Sequence, residues 1–140
     1  KHKGAYIWVM EIELESYNPE QLDKNQKVTI HKTGKMGFTM DAARKLNLAE
    51  MKSANIAYNK SNSNDTSLYL LIYQDINEGK FRVSKAGLYY YINTKILFDN
   101  LKIDYSNGNI TYDMSEEIIN NKHVYKLKRR EQKEKPTEEA

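Results

Sequence analysis

Apolar and polar residues alternate along much of this chain with a period of two. Residues 6–15, Tyr-Ile-Trp-Val-Met-Glu-Ile-Glu-Leu-Glu, begin as an apolar run and settle into strict alternation, with Ile12 and Leu14 opposed to Glu11, Glu13 and Glu15. Successive strand side chains face opposite ways, so this pattern predicts a half-buried strand. Residues 17–26 gather turn formers around Pro19 and read as a connector. Over 27–32, Val28 and Ile30 alternate with polar neighbours as a strand; Thr33-Gly34-Lys35 then turns the chain into a second short strand over 36–39. Asp41 is the expected cap of a brief helix over 42–48. Ala54 to Tyr58 predicts another strand, the polar stretch 59–66 a loop, and Leu68 to Tyr73 a closing strand of aromatic and aliphatic residues.

The same order recurs in the second half. Shifted by 53 residues, Lys27-Val-Thr-Ile-His-Lys32-Thr-Gly34 falls on Lys80-Phe-Arg-Val-Ser-Lys85-Ala-Gly87, and Phe38, Asp41 and Leu48 fall on Tyr91, Thr94 and Leu101. With one further residue inserted, Asn55-Ile-Ala-Tyr-Asn59 meets Asn109-Ile-Thr-Tyr-Asp113. Small, apolar and capping positions coincide in order, which points to a duplicated structural unit. The second unit then holds strands at 80–85 and 89–92, a helix over 95–102 capped by Thr94, a strand at 109–113, a loop over 114–122 and a strand at 123–128. Gly34 and Gly87 each stand where a hairpin needs positive φ. The expected organisation is therefore 1–26 as N-terminal strand and connector, 27–73 as the first ββαββ unit, 74–79 as a linker and 80–128 as the second unit. Residues 27–128 together form one domain, and the charged, almost wholly polar 129–140 is a disordered tail. The fold class is α+β, mainly β.

Composition narrows the chemistry. The 140 residues include no cysteine, which excludes disulfides, thiolate metal sites and cysteine nucleophiles and accords with a reducing, cytoplasmic setting. No apolar run is long enough to span a membrane, and Glu11, Glu13 and Glu15 interrupt what would otherwise be a signal-peptide core. The net charge is only +3, yet 27–73 carry seven Lys/Arg against three Asp/Glu and 80–128 carry eight against five. The basic excess lies within the repeats.

The stretch Gly34-Lys-Met-Gly-Phe-Thr-Met-Asp-Ala-Ala-Arg-Lys-Leu-Asn-Leu48, with Ala54-Asn-Ile-Ala-Tyr58 and Leu68-Tyr-Leu70 downstream, resembles the AbrB family of swapped-hairpin DNA-binding domains. Lys35 stands at the family's turn arginine, and Arg44 matches one member of its helical arginine pair. Ala43 replaces the other member, Thr39 the family's proline, and Leu88 the turn arginine of the second copy. The resemblance implies a swapped-hairpin-like barrel. In that family two ββαββ chains interleave their hairpins and present basic turns and helices to DNA; here both units would close one pseudo-dimeric barrel within a single chain. The physics agrees, because one unit alone leaves strand edges unpaired whereas two pair them and enclose their apolar faces. The strand at 6–15 would cover an edge.

Lys32, Lys35, Arg44 and Lys45, with Lys85 and Lys95 in the second copy, are the candidate phosphate contacts, since phosphate binding calls for long cations gathered on one surface. The same lysines also fit ordinary solvation of a barrel. Tyr89-Tyr-Tyr91 admits two readings as well: displayed rings beside Arg82, Lys85 and Lys95 could stack unpaired bases, or tyrosines could pack as favoured strand residues with wet hydroxyls. His31 and His123 occupy strand positions without companion ligands, and Asp113, Glu116 and Glu117 read as a solvated acidic loop, so neither a metal or other cofactor nor a catalytic set is expected. The expected function is nucleic-acid binding, DNA foremost, as in a transcriptional regulator. The alternative is a non-catalytic protein-interaction or assembly module that displays Tyr-rich strands.

Overall fold

The computed structural model describes residues 12–16 and 26–131. Among the described residues, eight antiparallel strands and two short helices follow the order β1 (Lys27–Ile30), β2 (Lys35–Phe38), α1 (Met40–Lys45), β3 (Ser53–Tyr58), β4 (Leu68–Tyr73), β5 (Phe81–Ala86), β6 (Tyr89–Asn93), α2 (Lys95–Asn100), β7 (Ile110–Ile119) and β8 (Lys122–Arg129). The strands close into a barrel in the order β1-β2-β6-β5-β3-β4-β8-β7. Each hairpin of the first half is flanked on both sides by strands of the second. Closure leaves no free sheet edge at the waist of the barrel.

Alternation decides which side chains fill it. Val28, Ile30, Met36, Leu70, Ile92 and Leu127 point inward and are fully or almost fully buried, and Phe98 and Tyr112 supply the largest buried rings. Each such aliphatic or aromatic side chain contributes roughly 1.5–3 kcal/mol by leaving water. Among the described residues, no helix is long and apolar enough to cross a membrane.

Several boundaries differ from those read in the sequence. Thr39, not Asp41, caps α1: its hydroxyl accepts the Ala42 amide at 3.2 Å, while Asp41 sits in the first turn. Thr94 precedes α2 but spends its hydroxyl elsewhere, donating to the Gly34 carbonyl at 2.8 Å. Both helices end alike. Asn47 and Lys102 adopt positive φ of 54° and 57°, and Leu48 and Ile103 donate back to Ala43 and Phe98 at 3.0 and 3.1 Å, closing a Schellman turn. Thr39 and Thr94, Leu46 and Leu101, and Asn47 and Lys102 are thus 55 positions apart, so the pairing of Asp41 with Thr94 and of Leu48 with Leu101 is not the structural one. Leu88 in the turn and a fifth residue in β6 account for the shift.

The expected loop over 114–122 is the far end of a long hairpin. β7 runs ten residues, and Asn120 and Asn121, at φ 52° and 64°, make a two-residue turn of the primed type that suits twisted strands. Met114 is buried within it. The expected tail starts too early, because Arg129 ends β8 and the Arg130 guanidinium pairs with Asp113 at 2.8 Å. Most of the predicted strand at 6–15 lies outside the described residues. Its described part, from Ile12 to Glu15, is not a strand, with Ile12 75% and Leu14 90% exposed.

Candidate nucleic-acid interface

β2 and β6 meet with Lys35 opposite Asn93, Met36 opposite Ile92 and Gly37 opposite Tyr91. Met36 and Ile92 are fully buried, so the alternate residues Lys35, Gly37, Tyr91 and Asn93 face outward. Register extends this outer row: Thr29 lies opposite Gly37 and Ser84 opposite Tyr91. Tyr89, on the same face two residues from Tyr91, stands opposite Ala86 and is 65% exposed. Tyr90 points the other way and packs against the core.

The row of small residues makes a groove of about 550 Å³, with His31, Lys35, Gly37, Ala86, Tyr89 and Tyr91 among its lining and no carboxylate among the described residues that line it. A Cβ on Gly37 would stand 2.7 Å from His31 Nε2, which places the imidazole directly over the glycine. Lys35 Nζ lies 4.8 Å from the centre of the Tyr91 ring, and Lys85 Nζ 5.5 Å from that of Tyr90. Both arrangements are cation–π contacts, in which the ammonium keeps its charge and part of its solvent. Neither lysine is ion-paired among the described residues.

The other four candidate cations are placed differently. Arg44 forms an ion pair with Asp41 on its own helix. Lys45 reaches Glu116 of β7 at 3.4 Å, and His123 of β8 approaches the same carboxylate at 3.2 Å. Burial alone would raise the Glu116 carboxyl, but Lys45, Tyr125 and His123 outweigh it and hold it below the usual range. Lys95 donates to Asp99 at 2.9 Å and to the Tyr105 hydroxyl at 3.2 Å. Those bonds raise the lysine's pKa, and the Tyr105 hydroxyl followed by Lys95 lowers that of Asp99. Lys32 is exposed in the β1–β2 turn and shares a smaller cleft with Lys95, Asp99 and Asp104. The six cations therefore do not share one surface: Lys35 lies in the groove with Tyr91, Lys85 beside Tyr90 on the opposite face of the hairpin, Lys32 and Lys95 in a mixed-charge cleft, and Arg44 and Lys45 on the helix with its carboxylates.

Two further features escaped the sequence reading. Lys126, Lys128, Arg129 and Arg130 line a wide cleft beside Asp65, Asp113 and Glu131; three of the cations belong to β8, and the alternation Lys126-Leu127-Lys128 signals a strand. His31 became visible as a groove residue only through the hairpin register that carries it over Gly37. The supposed acidic cluster also disperses, with Asp113 bound to Arg130, Glu116 to Lys45, and Glu117 placed opposite Val124. Among the described residues, no three His, Cys, Asp or Glu side chains gather to hold a metal ion.

A second groove lies on the outer face between the β3–β4 and β7–β8 hairpins. Tyr58, Leu71, Ile119 and Val124 line it with Lys60 and Lys122. The Tyr69 hydroxyl at its edge donates to Asp65 at 2.6 Å, which pushes the phenol up to about 12. No protein-family model, curated protein or solved structure matches this chain.

Proposed function

We propose that this protein is a non-catalytic nucleic-acid-binding protein, of the kind that serves as a transcriptional regulator, and that it meets its ligand with the β2–β6 face. The observation that carries this reading is the groove itself, where Lys35 lies over the Tyr91 ring and no carboxylate of the described residues competes with phosphate. The ligand then lies away from α1. Arg44 and Lys45 would have to exchange Asp41 and Glu116 for phosphate, which cancels much of the Coulombic gain.

The swapped-hairpin, AbrB-type origin belongs to the same proposal. Exchanging β1–β4 with β5–β8 leaves the cyclic strand order unchanged, as two interleaved ββαββ units require. In a true dimer both β2–β6 edges would carry the same residues. Here Lys35 on one strand meets tyrosines on the other, so the pseudo-dimer has one composite face.

Titrating labelled DNA and RNA at several salt concentrations tests the reading. Affinity should fall steeply with salt, and Lys35→Glu should weaken binding at least about tenfold and flatten the salt slope by about one unit for the phosphate no longer neutralised. Arg44→Glu should change it little. Absence of any salt-dependent binding at low ionic strength would leave the nucleic-acid reading without support. A protein-interaction role is favoured by the second groove, where Tyr58 is 69% and Ile119 38% exposed. That role predicts partner binding insensitive to Lys35→Glu.

A further inference from the structure

We infer that the nucleic acid is taken as a single strand, with its bases on Tyr89 and Tyr91; the inference rests on the nucleic-acid reading above. Tyr89 and Tyr91 are two residues apart on one strand and share its outer face. That separation is about 6.8 Å along an antiparallel strand. Bases within a duplex repeat every 3.4 Å or so and bury both faces against their neighbours, so no base inside a duplex, away from its ends, offers a face to a tyrosine. A strand whose bases are pulled apart to about twice that spacing offers one base to each ring. Protein surfaces that bind single strands combine such stacking rings with cations along the backbone path.

The surroundings of the rings suit this occupant. Ser84, beside Tyr91 across the sheet, raises no wall against a planar base, and Ala86 leaves the same space beside Tyr89. The His31 imidazole over Gly37 offers ring nitrogens to the edge of a base stacked on Tyr91. Lys35 stands beside Tyr91 for the phosphates, already steered by that ring. Duplex grip from the helices has less to work with: each has only six residues, and Arg44, Lys45 and Lys95 face carboxylates.

Fluorescence anisotropy with a labelled twenty-residue oligothymidylate, the matching oligouridylate and a twenty-base-pair duplex, all at one salt concentration, tests the inference. At least one of the single strands should bind about tenfold or more tighter than the duplex. Tyr89→Ala and Tyr91→Ala should each cost single-strand affinity about fivefold or more, whereas Tyr89→Phe and Tyr91→Phe, which keep the ring, should retain it. Tyr89 is exposed, so its alanine variant tests stacking in a folded barrel whatever becomes of Tyr91→Ala. Ultraviolet crosslinking of a 5-iodouracil strand should map to Tyr89 or Tyr91. Equal or tighter duplex binding, or single-strand binding indifferent to both alanine variants, overturns the inference while leaving nucleic-acid binding intact. Failure of every oligonucleotide to bind overturns both.

Discussion

Gly34 and Gly87 occupy corresponding turns and both have positive φ, 85° and 61°, yet their surroundings differ. A Cβ on Gly34 would stand 2.8 Å from Lys95 Cβ and 2.9 Å from its Cα, whereas nothing lies within 4 Å of one on Gly87. Gly34→Ala therefore adds a backbone clash to the strain of a left-handed alanine, about 1–2 kcal/mol for the strain and about 1–3 kcal/mol for overpacking. Gly87→Ala should show only the first. Urea denaturation of the two variants checks this; equal losses would mean that the Gly34–Lys95 approach relaxes freely. The need for glycine was legible at both positions from the turn pattern. The second constraint on Gly34 was not, because Lys95 comes from the other half of the chain.

Among the elements, the two helices are the clearest case of one local solution used twice. Both close with a non-glycine residue in the left-handed conformation, Asn47 in α1 and Lys102 in α2. Asparagine adopts that conformation at little cost and lysine at a larger one, so Lys102→Gly should stabilise the protein by about 0.5–1 kcal/mol, read as a raised melting temperature. A neutral or destabilising result would show that the α2 terminus is held by more than its backbone geometry. The helices were legible as short capped segments, but not their caps. Both Thr39 and Asp41 are competent capping residues, and β2, by ending at Phe38, leaves Thr39 in the extended conformation a cap requires. The β7–β8 hairpin was hidden for another reason. Glu116, Glu117 and Asn120-Asn121 read as a polar loop until Lys45 and His123 are seen to partner Glu116.

For the whole molecule, contacts between the halves carry the folded state. Thr94 donates to Gly34 across 60 residues of chain, and Lys45 of α1 meets Glu116 of the second half. The Glu116 carboxyl is held below its ordinary value, about 4.3 for an unfolded glutamate. A lowered folded pKa stabilises the barrel above the unfolded value, and that contribution disappears as pH falls through the folded one. Denaturation midpoints of wild type and Glu116→Gln should therefore differ near neutral pH and converge as pH falls below the ordinary glutamate range, a convergence whose absence would remove Glu116 from the acid response. By itself, the sequence determined the alternating strands, the glycine turns, the two short helices and the concentration of basic residues in 27–73 and 80–128, since each follows from preferences acting over a few neighbouring residues. Only the tertiary structure decided the order of strands around the barrel, which lysines meet carboxylates and which meet rings, and that His31, Lys35, Tyr89 and Tyr91 share one groove. Those outcomes depend on register between strands more than fifty residues apart, set by closing the barrel around one core and not by any local run of residues.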